Sequence, residues 1–162
     1  EIGYGNPMAI DQLLAHHSII FDYFNNHFFL STEPFQENVY ACYSFTDFST
    51  ISGQNSLLMD SLKIGSSKFL HSKEFENFTD YKKMATQFKE GLDNALDTLY
   101  TQKHIDYFIS LNPDYYEPYA LIGEYYLQLE KKDVAHKYFE LALSKPIAYK
   151  DEKEAISKKL DY

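Results

Sequence analysis

The side chains that could do chemistry are few and scattered. His16-His17 is the one histidine pair, but on a strand neighbouring residues point to opposite faces, so the two imidazoles cannot converge on one metal. His27, His71, His104 and His136 stand singly. Cys42 is the sole cysteine, and its flanks, Tyr40-Ala41-Cys42-Tyr43, read as a packed strand in which a thiol behaves as a small hydrophobe. Nucleophilic catalysis at Cys42 needs only a histidine brought close in space, and no spacing in the chain announces one. Asn26-His27-Phe28 falls at a turn between two strand-like runs, where a solvated loop is the simpler reading. No glycine-rich phosphate loop and no GxSxG elbow occurs. We therefore expect no catalytic, metal or cofactor residue within this chain. The one candidate for recognition is the tyrosine-dense stretch Asp114-Tyr115-Tyr116-Glu117-Pro118-Tyr119, followed by Tyr125-Tyr126. Tyrosine is enriched at interfaces, so Tyr115, Tyr116 and Tyr125 are expected to touch a partner or the remainder of a parent protein.

Composition narrows the function classes. Of 162 residues, 44% are hydrophobic and 24% charged, the balance of a packed domain and too apolar for disorder. Aromatic residues make up 17%, as 15 Tyr and 13 Phe with no Trp, so rings must supply much of the buried area. The net charge is −9, and every basic residue is Lys. Without Arg, the preferred bidentate ligand of phosphate and guanine, nucleic-acid binding is not expected. No apolar run reaches the roughly 18 to 20 residues of a membrane-spanning helix. The charge is also uneven. Residues 1–60 hold seven acids and no Lys, and the remainder holds 17 acids against 15 Lys.

The elements that would position these residues change type along the chain. Gly5-Asn6-Pro7 bends the backbone, and Met8, Ile10, Leu13 and Leu14 recur at helical spacing. His17–Phe21 and His27–Ser31 read as a hairpin turning at Asn25-Asn26, and Asn38–Phe45 as a third strand or an extended rim segment. About 50 residues of this kind are too few to close a core, so we expect residues 1–51 to complete a larger sheet. Residues 52–78 read as a connector in which Leu57, Leu58, Leu62 and Ile64 mark a short helix ending at Gly65.

Residues 79–162 read as a helical tail. Thr79-Asp80 introduces a long amphipathic helix through Met84, Phe88, Leu92, Ala95, Leu96 and Leu99; a further helix, or its continuation, ends at Asn112-Pro113. Within 118–146, Tyr119, Ile122, Gly123, Tyr126, Ala135, Phe139, Ala142 and Pro146 sit almost where a tetratricopeptide repeat puts its large, small and terminating residues, with Pro146 one position early. Gly123 and Ala135 would let two antiparallel helices approach, Lys131-Lys132-Asp133 would turn the chain, and Ala155 and Leu160 suggest a capping helix. The expected class is α+β: a β-hairpin segment completing an αββα sheet, then an all-α tetratricopeptide-like tail.

The run from Gly5-Asn6-Pro7-Met8 through Ala15-His16-His17-Ser18-Ile19-Ile20-Phe21 resembles the late part of bacterial acyl-coenzyme A:6-aminopenicillanic acid acyltransferase-like proteins, where a short helix precedes a strand reading "A-T/H-H-S-V/I-I-F". Leu30-Ser31-Thr32-Glu33-Pro34-Phe35-Gln36 is similar to that family's next strand and its exit. The resemblance covers about 45 residues. It implies an N-terminal-nucleophile hydrolase of αββα fold that frees a Cys by self-cleavage, uses the thiol to attack an amide or thioester, and uses the Cys α-amino group as base. The family's nucleophile lies upstream of the matching segment, and Cys42 does not occupy its place. The implied role of this chain is structural closure and docking, with the parent's remainder as partner, in a bacterial and often exported protein. The competing expectation is a non-enzymatic scaffold subunit whose strands augment a partner's sheet.

Overall fold

The computed structural model describes residues 2–9, 18–32, 38–44, 58–93 and 100–161. Among these residues the chain is α+β, a three-stranded antiparallel sheet followed by five α-helices. Two compact units form, one from Glu1–Ile10 with Lys73–Tyr162, the other from Asp11–Ser72.

The sheet of the second unit is ordered β1 (Ile19–Asp22), β2 (His27–Ser31), β3 (Tyr40–Ser44). The first hairpin pairs Ile19 with Leu30 and Asp22 with His27. Its turn is built by the Asp22 carboxylate, which accepts from the backbone N–H of Asn25 at 3.2 Å and from its side-chain amide at 2.8 Å. Asn26 then takes φ 55°, the left-handed conformation that Asn tolerates best among side-chain-bearing residues. The second pairing runs from His27 opposite Ser44 to Ser31 opposite Tyr40, with the Phe28 and Tyr43 rings stacked at 5.0 Å.

The connector differs from its expected helix. Leu58 bridges Tyr43, Ile64 bridges Tyr40, and only Asp60–Leu62 between them coils, as a 3-10 turn. The backbone groups of Tyr40 and Cys42 on the free side of β3 take these bonds, an outlet that leucine spacing does not reveal.

This unit buries little. Among its described residues, only Cys42, Ser31 and Ser44 are fully buried. Strand β1 does not alternate: Ile19, Ile20 and Phe21 are 52%, 44% and 64% exposed, and Tyr23 and Phe24 at the turn are 89% and 98% exposed.

The helical unit carries a core of its own. Helix α1 spans Lys73–Asp93 and buries Phe78, Tyr81, Ala85 and Phe88, one stripe at three- and four-residue steps. It begins six residues before Thr79, because the Thr79 hydroxyl donates to the Phe75 carbonyl at 3.0 Å within the helix and caps nothing. Ala95, Leu96 and Leu99 lie outside the described residues. Helix α2 (Gln102–Leu111) is separate, opened by a capping box between Thr101 and His104 and closed at Asn112. The Phe88 ring lies between Tyr100 and Phe108, with centroids at 4.0 and 4.6 Å.

Helices α3 (Glu117–Gln128) and α4 (Lys132–Leu143) form an antiparallel hairpin. Its reversal comes slightly before the expected Lys131-Lys132-Asp133. Glu130 adopts φ 59°, Lys131 N–H donates to Tyr126 O and Glu130 N–H to Leu127 O, the paired bonds of a Schellman ending with Glu where Gly is usual. Gly123 is where the two helices touch: a Cβ there would meet the fully buried Phe139 ring at 2.5 Å. Helix α5 (Lys150–Lys158) closes the unit through Ile156, with Leu160 packed beside it; Ala155, the expected contact, faces solvent.

Residues 2–9 lie with these helices, whereas their position in the sequence had grouped them with the hairpin as part of 1–51. Met8 sits in a turn and Ala9 in a bend, and the rest of the expected Met8–Leu14 helix, like His16 and His17, falls outside the described residues.

Candidate interaction surface

The tyrosine-dense stretch forms the elbow between α2 and α3. Tyr115 and Tyr116 are half-buried and meet edge to face at 4.9 Å, and Tyr115 also meets the Tyr81 ring edge-on at 6.1 Å. The Tyr116 hydroxyl donates to Glu152 Oε2 on α5 at 2.7 Å; burial and this bond to a carboxylate push its ionisation well above the ordinary phenol range. Burial likewise raises Tyr115. Tyr125 is different: it is 2% exposed, its ring edge-on to Phe88, its hydroxyl accepting from Tyr100 N–H at 2.9 Å and donating to Tyr100 O at 3.3 Å. Of the three tyrosines expected at a partner surface, Tyr125 is thus consumed by the core that joins α1 to α3. Tyr115 and Tyr116 retain partial exposure.

Glu117 opens α3 on the α1 side of the elbow. The Tyr81 hydroxyl donates to one carboxylate oxygen and Lys89 Nζ lies 2.6 Å from the other. Burial, then the neighbouring Glu152 charge, pushes Glu117 up to about 7, with the Lys89 ammonium pulling the other way. The arrangement is structural in geometry: both Tyr81 and Lys89 join α1 to the start of α3 through this carboxyl.

Against the elbow lies the strap of residues 2–9. Asn112, 1% exposed at the end of α2, donates its side-chain amide to Tyr4 O at 2.9 Å and accepts from Tyr4 N–H at 3.0 Å. Asn6, also 1% exposed, donates to Pro146 O and to Ile2 O, each at 3.0 Å, and accepts from Met8 N–H at 2.9 Å. Gly3 and Gly5 take φ of 72° and 80°; a Cβ on Gly3 would lie 2.6 Å from the Tyr115 backbone nitrogen, and one on Gly5 3.0 Å from the Phe78 ring. Gly5-Asn6-Pro7 was legible as a bend. Its docking site was not, because both Asn6 and Asn112 read locally as turn residues.

Cys42 is fully buried on β3, and burial raises its thiol pKa. Among the described residues no group of three or more His, Cys, Asp or Glu side chains is arranged to hold a metal, and no helix is long and apolar enough to cross a membrane. No protein-family model, curated protein or solved structure matches the chain.

Proposed function

We propose that this chain is the C-terminal part of an N-terminal-nucleophile amidohydrolase or acyltransferase, without a nucleophile of its own. In this reading β1–β3 close a larger αββα sheet, and the helices form a tetratricopeptide-like docking tail. One observation supports it above the others: Ile19, Ile20 and Phe21 make a strand apolar on both faces, yet all three are 44–64% exposed. A strand with that composition belongs inside a sheet covered on both sides. The sequence resemblance over residues 5–21 and 30–36 names the kind of sheet. The repeat-like placement of Tyr119, Ile122, Gly123, Tyr126, Ala135, Phe139 and Ala142 supports the tail.

The test is the mass and N-terminal chemistry of the native polypeptide that contains this sequence. The expected result is a chain well beyond 162 residues, self-cleaved to leave a Cys whose alkylation abolishes amide hydrolysis. A native polypeptide starting at Glu1 and lacking such activity would overturn it. The helical unit's own core favours a second reading, a scaffold subunit assembled through its helices, and that outcome would select it.

A further inference from the structure

We propose that residues 2–9 are a clamp that locks the stacking of a 34-residue helical repeat by fastening equivalent positions of its successive units together. The clamp rests on the repeat-like tail of the reading above and not on the enzyme assignment. A period of 34 residues runs through the packing of the helices. Phe88, Ile122 and Ile156, in α1, α3 and α5, stand 34 residues apart and are all buried; so do the buried pairs Ile105 and Phe139, and Phe108 and Ala142, in α2 and α4. Polar joints recur almost in step: the Tyr81 hydroxyl donates to Glu117 and the Tyr116 hydroxyl to Glu152, each bond spanning 36 positions.

The strap follows the same period. Gly5 lies against the Phe78 ring, Asn112 exchanges two hydrogen bonds with the Tyr4 backbone, and the Asn6 amide donates to Pro146 O at 3.0 Å. Phe78, Asn112 and Pro146 are again 34 residues apart. The first belongs to α1, the second ends α2, and the third lies in the link between α4 and α5. The anchors are built into the fold: Asn6 and Asn112 are both fully buried, and Gly3 and Gly5 supply the left-handed turns that bring the strap to them. In a stacked repeat each unit touches only its neighbours, so its ends can open singly. A segment that grips the first helix, the elbow and the last link at one time makes their opening concerted.

The experiment is hydrogen–deuterium exchange of the full chain, read by mass spectrometry around Phe78, Asn112 and Pro146. Asn6→Ala removes the bond to Pro146, yet it is expected to speed exchange by about tenfold or more at all three places. Asn112→Ala should do the same, and the double variant should exchange no faster than either alone, because a clamp released at one anchor is released at all. Circular dichroism at 222 nm accompanies each variant. Acceleration confined to the neighbourhood of the mutated anchor, or effects that add in the double variant, would overturn the clamp. So would loss of the helical signal in both single variants, because the strap is then part of the core and not a fastening on an assembled array; if one variant unfolds, the other decides. None of these outcomes touches the length or self-cleavage of the native polypeptide, on which the enzyme reading turns.

Discussion

Replacing Gly123 with Ala separates two effects of opposite sign. Position 123 is inside α3, where helix propensity alone favours Ala over Gly by about 1 kcal/mol. The new methyl, however, would sit 2.5, 2.6 and 3.0 Å from three carbons of the Phe139 ring, closer than carbon atoms approach. Phe139 is fully buried among Tyr119, Ala120, Ala135 and Ala142 and has no open side to move into. Overpacking of this kind costs about 1–3 kcal/mol, so the propensity gain is cancelled and a net loss of up to about 2 kcal/mol is expected. For a helical unit of this size each kcal/mol lost lowers the melting midpoint by about 4–8 °C, read as circular dichroism at 222 nm. Gly91 in α1 is the internal control, since a Cβ there meets only the Tyr100 hydroxyl at 3.6 Å, so Gly91→Ala should stabilise by about 0.5–1 kcal/mol. Shortening the ring with Phe139→Leu should make Gly123→Ala less costly than it is alone. A Gly123→Ala variant stabilised as much as Gly91→Ala would refute the close approach of α3 and α4.

Three further outcomes follow from the same geometry. Glu117 is held protonated by burial more readily in the fold than in the unfolded chain, so its stabilisation is complete below about 4.5 and fades as pH rises through about 7. Denaturation midpoints of wild type against Glu117→Gln should therefore diverge across that window by about 1–3 kcal/mol, wild type losing more; parallel pH profiles would contradict this. Cys42, fully buried with a raised pKa, should resist iodoacetamide in native buffer and react fully in urea, and stoichiometric native labelling would return it to candidacy as a nucleophile. Tyr23→Ser with Phe24→Ser should lower the fluorescence of bound anilinonaphthalene sulfonate while shifting helical stability by no more than about 0.5 kcal/mol; an unchanged signal would show that the turn is not the dye's apolar site.

The helices were the more legible part of the sequence because their contacts repeat at local spacings. Phe88 in α1, the break at Asn112-Pro113, and the small residues Gly123 and Ala135 all stand where periodicity put them. Starts were less legible than stripes: Thr79 is a good capping type, yet its hydroxyl bonds backward to Phe75, and α1 begins at Lys73. The hairpin turn was readable in Asn25-Asn26. The connector was not, since Leu58 and Ile64 serve as bridges to β3, and a leucine at helical spacing carries no mark of a strand partner 15 to 24 positions away. At the elbow, Tyr115 and Tyr116 are half-buried, whereas Tyr125, identical in type, turns into the core beside Phe88.

The two units differ in what their surfaces leave unfinished. In the helical unit, apolar stripes are answered within the chain: Ile105, Ile122, Phe108 and Phe139 reach 0% exposure, and even the strap's polar groups find carbonyl and amide partners. In the strand unit, the most apolar element is the least covered, and a strand leaving Ile-Ile-Phe in water forgoes roughly 25 cal/mol for every Å² left bare. Such a sequence gains from folding chiefly when a second surface is supplied. In the proposed reading, that second surface lies over β1 and its turn.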